Sequence, residues 1–233
     1  MAGHPVRNDI LLRIPMAEFD ALKSHLEFVP LRAGTTLEQQ YAPIHCVYFI
    51  NRGIVSKIVE MADGKSVEVG VAGREHMTGL QLAVGLENLM HSLVVQVPGE
   101  GFRVGATTLK TALKSLPELA GVLNRRLGIQ SVQFERNAAC NRFHGLKQRL
   151  ARFLLLTFDR IESEVFHTTH DFLAIMVGCD RPSVSIALAD LENGGTIQPK
   201  RGSISLVNRR KLEAQSCECY AVFRQFNAEL GLR

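Results

Sequence analysis

Apolar and polar positions follow different spacings in the two halves of the chain. In the first half they alternate within short runs, and Asp63-Gly64 between two of these runs is a strong signal for a β-hairpin turn. Many short strands at close spacing are typical of a sandwich, a jelly roll or a barrel. We therefore predict a β-domain that follows a short helix from Pro15 to Leu26. Its predicted strands are Cys46–Ile50, Ile54–Val59, Ser66–Val69, Leu93–Val97 and Gly101–Val104, and Asn51-Arg52-Gly53 separates the first two.

From Leu116 to about His144 the pattern becomes that of one long helix. An apolar stripe runs roughly along one face of it, formed by Leu119, Leu123, Leu127 and Phe134. A single helix with such a stripe usually pairs with a copy of itself. Packing on its own β-domain is the alternative, and both can hold for different faces. Because the whole stripe would be a costly exposed patch on a monomer, we predict a dimerisation helix.

Near the C-terminus the pattern predicts two short helices joined by a tight turn. The first is His170–Met176, and Gly178 lies where the turn needs a residue without a Cβ atom. Asp180 can accept hydrogen bonds from the first turn of the second helix, and Pro182 is tolerated only in such a turn. The second helix would bury Val184, Leu188 and Leu191 at helical spacing. This is the pattern of a helix-turn-helix.

A basic β-hairpin is predicted directly after the second helix. Gly194-Gly195 ends the helix, and Ile204–Val207 alternates after a turn at Pro199–Ser203. Residues 198–211 hold five basic side chains and no acid: Lys200, Arg201, Arg209, Arg210 and Lys211. A helix-turn-helix with a basic-tipped hairpin is a winged helix, whose second helix can enter the major groove of DNA. Helical hairpins also occur in cores that never touch DNA, and the basic hairpin argues against that alternative.

Composition limits the remaining possibilities. The chain has 233 residues, 46% of them hydrophobic, which suits two domains with real cores. The net charge of +4 is mild, so the basic signal is local. No apolar run approaches the roughly 20 residues needed to span a bilayer, and the first residues lack the apolar core of a signal peptide. We therefore expect a cytoplasmic protein without membrane contact. The five cysteines are scattered and odd in number, which argues against a disulfide framework.

The order of β-domain, long helix and winged helix resembles the Crp–Fnr family of bacterial transcription regulators, homologues of the cyclic-AMP receptor protein. Val177–Arg181 and Leu188–Glu192 match the helix-turn-helix pattern of the family, and Tyr48–Gly53 carries its strand-turn glycine. The resemblance implies an α+β fold. Residues 1–115 would form an N-terminal β-roll sensor, a jelly roll of the cyclic-nucleotide-binding type. Residues 116–144 would form the dimerisation helix, and residues 145–233 the winged-helix DNA-binding domain.

The resemblance also implies a homodimer that binds double-stranded DNA at an inverted-repeat operator and acts with RNA polymerase. Arg181 falls on a family position that reads a guanine or contacts the backbone beside it. Pro182 and Ile186 replace residues that cyclic-AMP-receptor-like members carry, so a different operator sequence is expected. The expected DNA-binding residues are Arg181, Pro182, Ser183, Ser185, Ile186, His170, Lys200 and Arg201.

The sensor half departs further from the family. A cyclic-nucleotide pocket needs a Glu for the ribose and an Arg for the phosphate, and Leu80 and His91 stand at these positions while Gly79 remains. We therefore expect a degenerate sensor that does not bind cyclic AMP. Its effector would be another small molecule, hydrophobic or aromatic, or none at all. The candidate effector-pocket residues are Gly79, Leu80, His91, Ser92, Arg74 and Glu75.

No cofactor is expected from the cysteines and histidines. An iron–sulfur cluster needs about four Cys thiolates, and Cys46 is the only cysteine before residue 140. A haem ligand pair among His76, His91 and Cys46 stays open. Cys217 and Cys219 would point to different faces of a helix, so we expect structural thiols there and no metal site.

An enzyme is the competing class, since a β-roll resembles a cupin. The chain has no His-x-His metal pattern, no Gly-x-Ser-x-Gly elbow, no phosphate loop and no His-Glu-x-x-His. We therefore expect no enzymatic activity. The alternatives to a regulator are a non-catalytic β-roll that binds a ligand or scaffolds a partner and, less favoured, a cupin-like enzyme.

Overall fold

The computed structural model of the chain describes residues 5–161 and 163–229. Contacts divide the chain into two compact units. The first comprises Met1–Glu60 and Val69–Val132, and the second comprises Met61–Glu68 and Gln133–Arg233.

The first unit is built on a five-stranded antiparallel sheet. Strands follow one another in the order β1-β5-β3-β4, and β2 pairs with β5 outside this path. The predicted Asp63-Gly64 turn between β3 and β4 is confirmed, because Gly64 has φ 81° and the N–H of Met61 donates to the carbonyl of Lys65. The elements of this part of the chain are α1 (Met16–Lys23), β1 (Glu27–Leu31), β2 (Thr36–Glu38), β3 (Cys46–Glu60), β4 (Ser66–Ala72), a 3-10 helix (Leu80–Val84), β5 (Ser92–Gly105), α2 (Ala106–Leu113) and α3 (Pro117–Phe143).

The two predicted breaks in the strands are wrong. β3 runs through Asn51-Arg52-Gly53, and β5 joins the two runs predicted at Leu93–Val97 and Gly101–Val104. The pairing of β3 with β5 shifts register between Ile50 and Val55, which is a β-bulge. Gly53 has φ 91°, and a Cβ atom there would lie 2.6 Å from the carbonyl oxygen of Val97. The glycine therefore serves the bulge inside a long strand and does not end the strand.

The first half of the long helix packs on its own protomer. Leu119 and Leu123 are fully buried in the core of the first unit, and Leu127 packs against that core. The expectation that the whole stripe would be exposed on a monomer is therefore wrong for Leu119 and Leu123. Phe134, one heptad after Leu127, keeps 37% of its surface exposed.

The second unit carries the predicted winged helix. It contains a three-stranded sheet of order β6-β8-β7, in which one strand precedes the helices of the helix-turn-helix in the chain and two strands follow them. The predicted α+β fold is confirmed. After the end of α3, the elements are α4 (Leu146–Ile161), β6 (Val165–His167), α5 (His170–Val177), α6 (Arg181–Asn193), β7 (Ile197–Lys200), β8 (Ser203–Leu206), α7 (Arg209–Gln215) and α8 (Cys219–Glu229).

The cysteine pair near the C-terminus does not behave as predicted. Cys217 precedes α8 and Cys219 begins it, so the spacing rule for two positions inside a helix does not apply. Both side chains are buried and pack with Cys140 and Phe223. The expectation that the two thiols point to different faces is therefore wrong.

Within the described residues, no single helix is long and apolar enough to cross a membrane. Only α5 and α6, bent by 98° at the turn between them, meet the length and composition criteria together.

Candidate nucleic-acid interface

The turn of the helix-turn-helix is set by local side chains. Thr169 caps α5 by accepting a hydrogen bond from the N–H of Phe172 at 3.2 Å. Gly178 ends α5 with φ 63°, a left-handed conformation that favours glycine. These two residues fix where the first helix begins and where the chain turns.

The start of α6 is fixed by Asp180. Its carboxylate accepts hydrogen bonds from the N–H of Ser183 at 2.8 Å and from the hydroxyl of Ser183 at 2.9 Å. The backbone N–H of Ser183 thereby lowers the pKa of Asp180. Pro182 lies in the first turn, as predicted. The Ser183 side chain is therefore engaged in the cap, although the sequence placed it among the DNA-binding residues.

The two faces of α6 are separated as predicted. The inner face is buried, with at most 1% of the surface exposed for Val184, Leu188 and Leu191. On the outer face, Ile186 is 67% exposed and the Arg181 side chain 64% exposed. Arg181 and Ile186 are thus the large side chains that the first turns of the helix present to solvent.

Ser185 is held by its neighbours rather than presented outward. Its hydroxyl donates to the carbonyl of Arg181 at 3.1 Å and lies 2.9 Å from Nδ1 of His170. This contact joins the first residue of α5 to the second turn of α6. Ser185 and His170 therefore link the two helices, and their contact with DNA stays a prediction.

A cleft of about 300 Å³ lies between the helix-turn-helix and the hairpin of β7 and β8. Arg181, Lys200 and Arg201 line it, so the structure brings three of the predicted basic residues together. The remaining lining residues are Thr168, Thr169, His170, Asp171, Gly202, Ser203 and Ile204. The cleft is open to an anionic partner along the hairpin, which we call the wing (Ile197–Leu206).

Sequence reasoning missed one acid in this cleft. Asp171 forms an ion pair with Arg181, with 3.4 Å between Oδ1 and Nε. Both side chains are mostly exposed, so the pair is weak and a partner can displace it at little cost. Asp171 and Arg181 lie on two helices separated by a turn, and no sequence spacing predicts a contact between them.

The candidate effector residues make separate contacts within the first unit. Gly79 has φ 65° and precedes the 3-10 helix, in which Leu80 is fully buried. Arg74 pairs with Asp9 at 3.6 Å between Nε and Oδ1, and the hydroxyl of Ser92 accepts from the N–H of Gln40. These residues therefore have contacts within the first unit, and their role in an effector pocket stays a prediction.

His91 is poorly suited to hold a phosphate. Burial, and then the charge of Lys57, lower the pKa of His91 to about 4, so its ring is neutral at pH 7. Its Nε2 atom is buried and makes no hydrogen bond to the described residues. A neutral imidazole cannot replace the guanidinium of a cyclic-nucleotide pocket.

Buried charged groups that the sequence did not reveal lie in the same unit. Lys57 on β3 is 2% exposed, and its charge interacts with that of Glu75, which is 6% exposed. Burial lowers the pKa of Lys57 to about 7, partly offset by Glu75. Arg126 on α3 is 2% exposed, and both its Nη atoms lack a hydrogen-bond partner among the described residues. Charged side chains are rarely buried, so the sequence alone places all three in solvent.

Comparison with known proteins bears on these features. Residues 148–215 match the Crp-like helix-turn-helix domain. No curated protein matches the chain significantly.

Solved structures match the chain over most of its length. The c-di-GMP responsive global regulator CLP of Xanthomonas campestris aligns with a TM-score of 0.70 at 18% identity, over 83% of this chain and 100% of that one. FixK2 from Bradyrhizobium japonicum aligns with a TM-score of 0.71 at 17% identity, over 82% and 98%. A CRP-family transcriptional regulator from Thermus thermophilus aligns with a TM-score of 0.67 at 18% identity, over 81% and 96%.

These matches confirm the predicted resemblance and its fold. The chain has the fold of the Crp–Fnr transcription regulators and carries their Crp-like helix-turn-helix domain.

Proposed function

We propose that the chain is a cytoplasmic, sequence-specific DNA-binding transcription regulator that acts as a homodimer on an inverted-repeat operator. The observation that carries this proposal is the exposed Arg181 at the start of α6, beside the basic wing and on the same cleft. Residues 1–115 would form the sensor, residues 116–144 the dimerisation helix and residues 145–233 the DNA-binding domain.

Base readout would fall to the two side chains that α6 presents outward. A major groove admits an α-helix, and a guanidinium can bond O6 and N7 of a guanine in a bidentate manner. Arg181 has that chemistry once it leaves Asp171. Ile186 offers an apolar contact of the kind that recognises the methyl group of thymine. Since Ser183 and Ser185 are engaged within the protein, we assign them to holding the helix start.

Phosphate contacts would surround this readout. Lys200 and Arg201 are exposed at the tip of the wing and can each neutralise a phosphate. The first turn of α5 borders the same cleft, and the N–H groups at the start of a helix suit a phosphate oxygen. Such contacts fix the position of the protein on the duplex without reading its sequence.

Dimerisation would use the second half of α3. Phe134 is partly exposed one heptad after Leu127, and Ala138 follows four residues later. This is the spacing of a helix-pair seam. Two copies related by a twofold axis would place their recognition helices on half-sites about one turn of DNA apart.

The sensor would respond to a ligand other than a cyclic nucleotide. Leu80 is apolar and His91 is neutral where the ribose and phosphate anchors would be needed. The charged groups buried in this unit include Lys57, Glu75 and Arg126. Acting through RNA polymerase remains part of the proposal that the family resemblance suggests.

Binding to DNA at several salt concentrations tests the proposal. Fluorescence anisotropy with a labelled duplex should show tight binding whose logarithm falls linearly with the logarithm of salt concentration. Lys200→Ala and Arg201→Ala should weaken binding to all sequences and each reduce that slope by about one. Arg224→Ala is the matched control, because Arg224 lies on α8 outside the cleft and its loss removes the same charge. Equal salt slopes for all three variants, or no binding at low salt, would contradict a DNA-binding wing and favour a scaffold.

A further inference from the structure

Four potential metal ligands meet at the end of α3. Cys140 lies on its last turn and His144 directly after its end, while Cys217 precedes α8 and Cys219 begins it. The three Sγ atoms and one imidazole nitrogen all lie within 4.8 Å of one another. Seventy-seven residues separate Cys140 from Cys217, so the fold, not local sequence, assembles this group.

Three distances within the group are close to those around a single tetrahedral metal ion. Zinc–sulfur bonds of about 2.3 Å and zinc–nitrogen bonds of about 2.0–2.1 Å give edges of about 3.8 Å between two sulfurs and about 3.5 Å between sulfur and nitrogen. Cys140 Sγ lies 3.5 Å from Cys217 Sγ and 3.4 Å from His144 Nδ1, and Cys219 Sγ lies 3.8 Å from His144 Nδ1. A polynuclear iron–sulfur cluster would hold its thiolates further apart, because its inorganic core lies between them.

The orientation of His144 is an independent sign of a metal ligand. Its Nε2 atom lies 2.9 and 3.1 Å from the two carboxylate oxygens of Glu218. Ligating histidines nearly always donate their other ring N–H to a carboxylate, a carbonyl or a water, which fixes the tautomer. An N–H on Nε2 leaves the lone pair of Nδ1 directed to the three thiols.

The surroundings suit a group of thiolates. Cys140, Cys217 and Cys219 are at most 3% exposed. Three thiolates and one divalent ion would carry a net charge of −1, which needs a compensating cation nearby. The charge of Arg136 interacts with that of Cys219, and the guanidinium of Arg152 interacts with the charges of Cys140 and Cys217.

We propose that Cys140, His144, Cys217 and Cys219 bind one Zn²⁺ ion in a closed structural site. Four protein ligands fill the tetrahedral coordination and leave no position for a substrate, as in Cys₃His sites of other proteins. The ion would tie α8 to the end of α3 and to the junction between α3 and α4. Because the site needs only these ligands, it stands or falls independently of DNA binding.

Metal content and cobalt substitution test the site in the full chain. Protein purified in reducing, oxygen-free buffer should contain one zinc ion per chain, as measured by inductively coupled plasma mass spectrometry. Replacing zinc with Co²⁺ should give the thiolate-to-cobalt charge-transfer band and the intense visible bands of a tetrahedral ion. Cys219→Ser should lose both the stoichiometric zinc and this spectrum.

The chain offers matched controls for these variants. Cys46→Ser and Cys179→Ser remove the two cysteines outside the group and should keep one zinc per chain. In the zinc form, only Cys46 and Cys179 of the five thiols should react quickly with a thiol reagent. After a chelator has removed the zinc in denaturant, all five thiols should react.

A variant that keeps all four ligands guards against misfolding. Glu218→Gln should weaken zinc binding about 10- to 100-fold in competition with a chromophoric chelator, since it removes only the carboxylate behind His144. Equal zinc affinity in the wild type, Cys219→Ser and Glu218→Gln would overturn the proposal. So would a fully reduced wild-type protein that binds neither zinc nor Co²⁺, or a Cys140–Cys217 disulfide recovered from intact cells.

Discussion

A lysine buried in the β-roll should leave a signature in the pH dependence of stability. Lys57 is 2% exposed on β3, and burial lowers its pKa from 10.5 to about 7, partly offset by the charge of Glu75. Replacing it with methionine keeps an unbranched side chain, one atom shorter, and removes the titrating amine. The Lys57→Met variant therefore isolates the contribution of this group to the free energy of unfolding.

The size and sign of the effect follow from the two pKa values. Between pH 7 and pH 10.5 the unfolded chain keeps the proton that the folded chain has released, so the unfolded state binds more protons and stability rises with pH. From pH 7 to pH 10.5, Lys57 should raise the free energy of unfolding by about 5 kcal/mol, and from pH 7 to pH 9 by about 2 kcal/mol. Below pH 7 the amine is charged in both states, and its contribution no longer changes.

Urea unfolding followed by circular dichroism at pH 7 and pH 9 measures this difference. The wild type should gain about 2 kcal/mol more than Lys57→Met on going from pH 7 to pH 9. Lys65→Met is the matched control and should follow the wild type, because the Lys65 side chain is 84% exposed. The same pH dependence in wild type and Lys57→Met would refute the reasoning, since the amine would then titrate alike in both states.

Three further predictions concern the helix-turn-helix, the dimer and the sensor. Thr169→Ala should lower the free energy of unfolding of the second unit by about 1 kcal/mol because α5 loses its cap, whereas Thr168→Ala should not, and thermal melts of the two variants compare them. Phe134→Glu should convert the dimer to a 25.8 kDa monomer in light scattering at micromolar concentration, while Arg125→Glu on the opposite face should remain dimeric; a monomeric wild type would contradict the seam. Calorimetric titration with cyclic AMP should show no binding at physiological concentrations, because the neutral His91 offers no counter-charge, and micromolar binding would contradict this assignment.

The winged helix could be predicted from sequence because its signals are local. Gly178, Asp180 and Pro182 each act within one turn of the chain, and the structure shows the conformation and hydrogen bonds that each one predicts. The long helix was predicted for the same reason. The residues that its apolar stripe contacts could not be predicted. Leu119 and Leu123 are covered by the β-roll, whose residues lie far away in sequence.

The features that the sequence hid depend on long-range contacts. A lysine is ordinarily placed in solvent, and only the packed core shows that Lys57 is buried. The spacing of Cys217 and Cys219 suggested two diverging thiols, since nothing local shows that a helix begins between them. Their neighbour Cys140 is joined to them only through the packing of α8 on the end of α3. No spacing rule predicts such a group.

Selection of duplexes from a random pool tests the central claim most directly. Wild-type protein should enrich an inverted repeat whose half-sites lie about one helical turn apart. Arg181→Ala should lose about 1–3 kcal/mol of affinity for that operator and relax the preference at one base pair in each half-site. No enriched sequence with the wild type, or an identical preference with Arg181→Ala, would contradict readout by the start of α6.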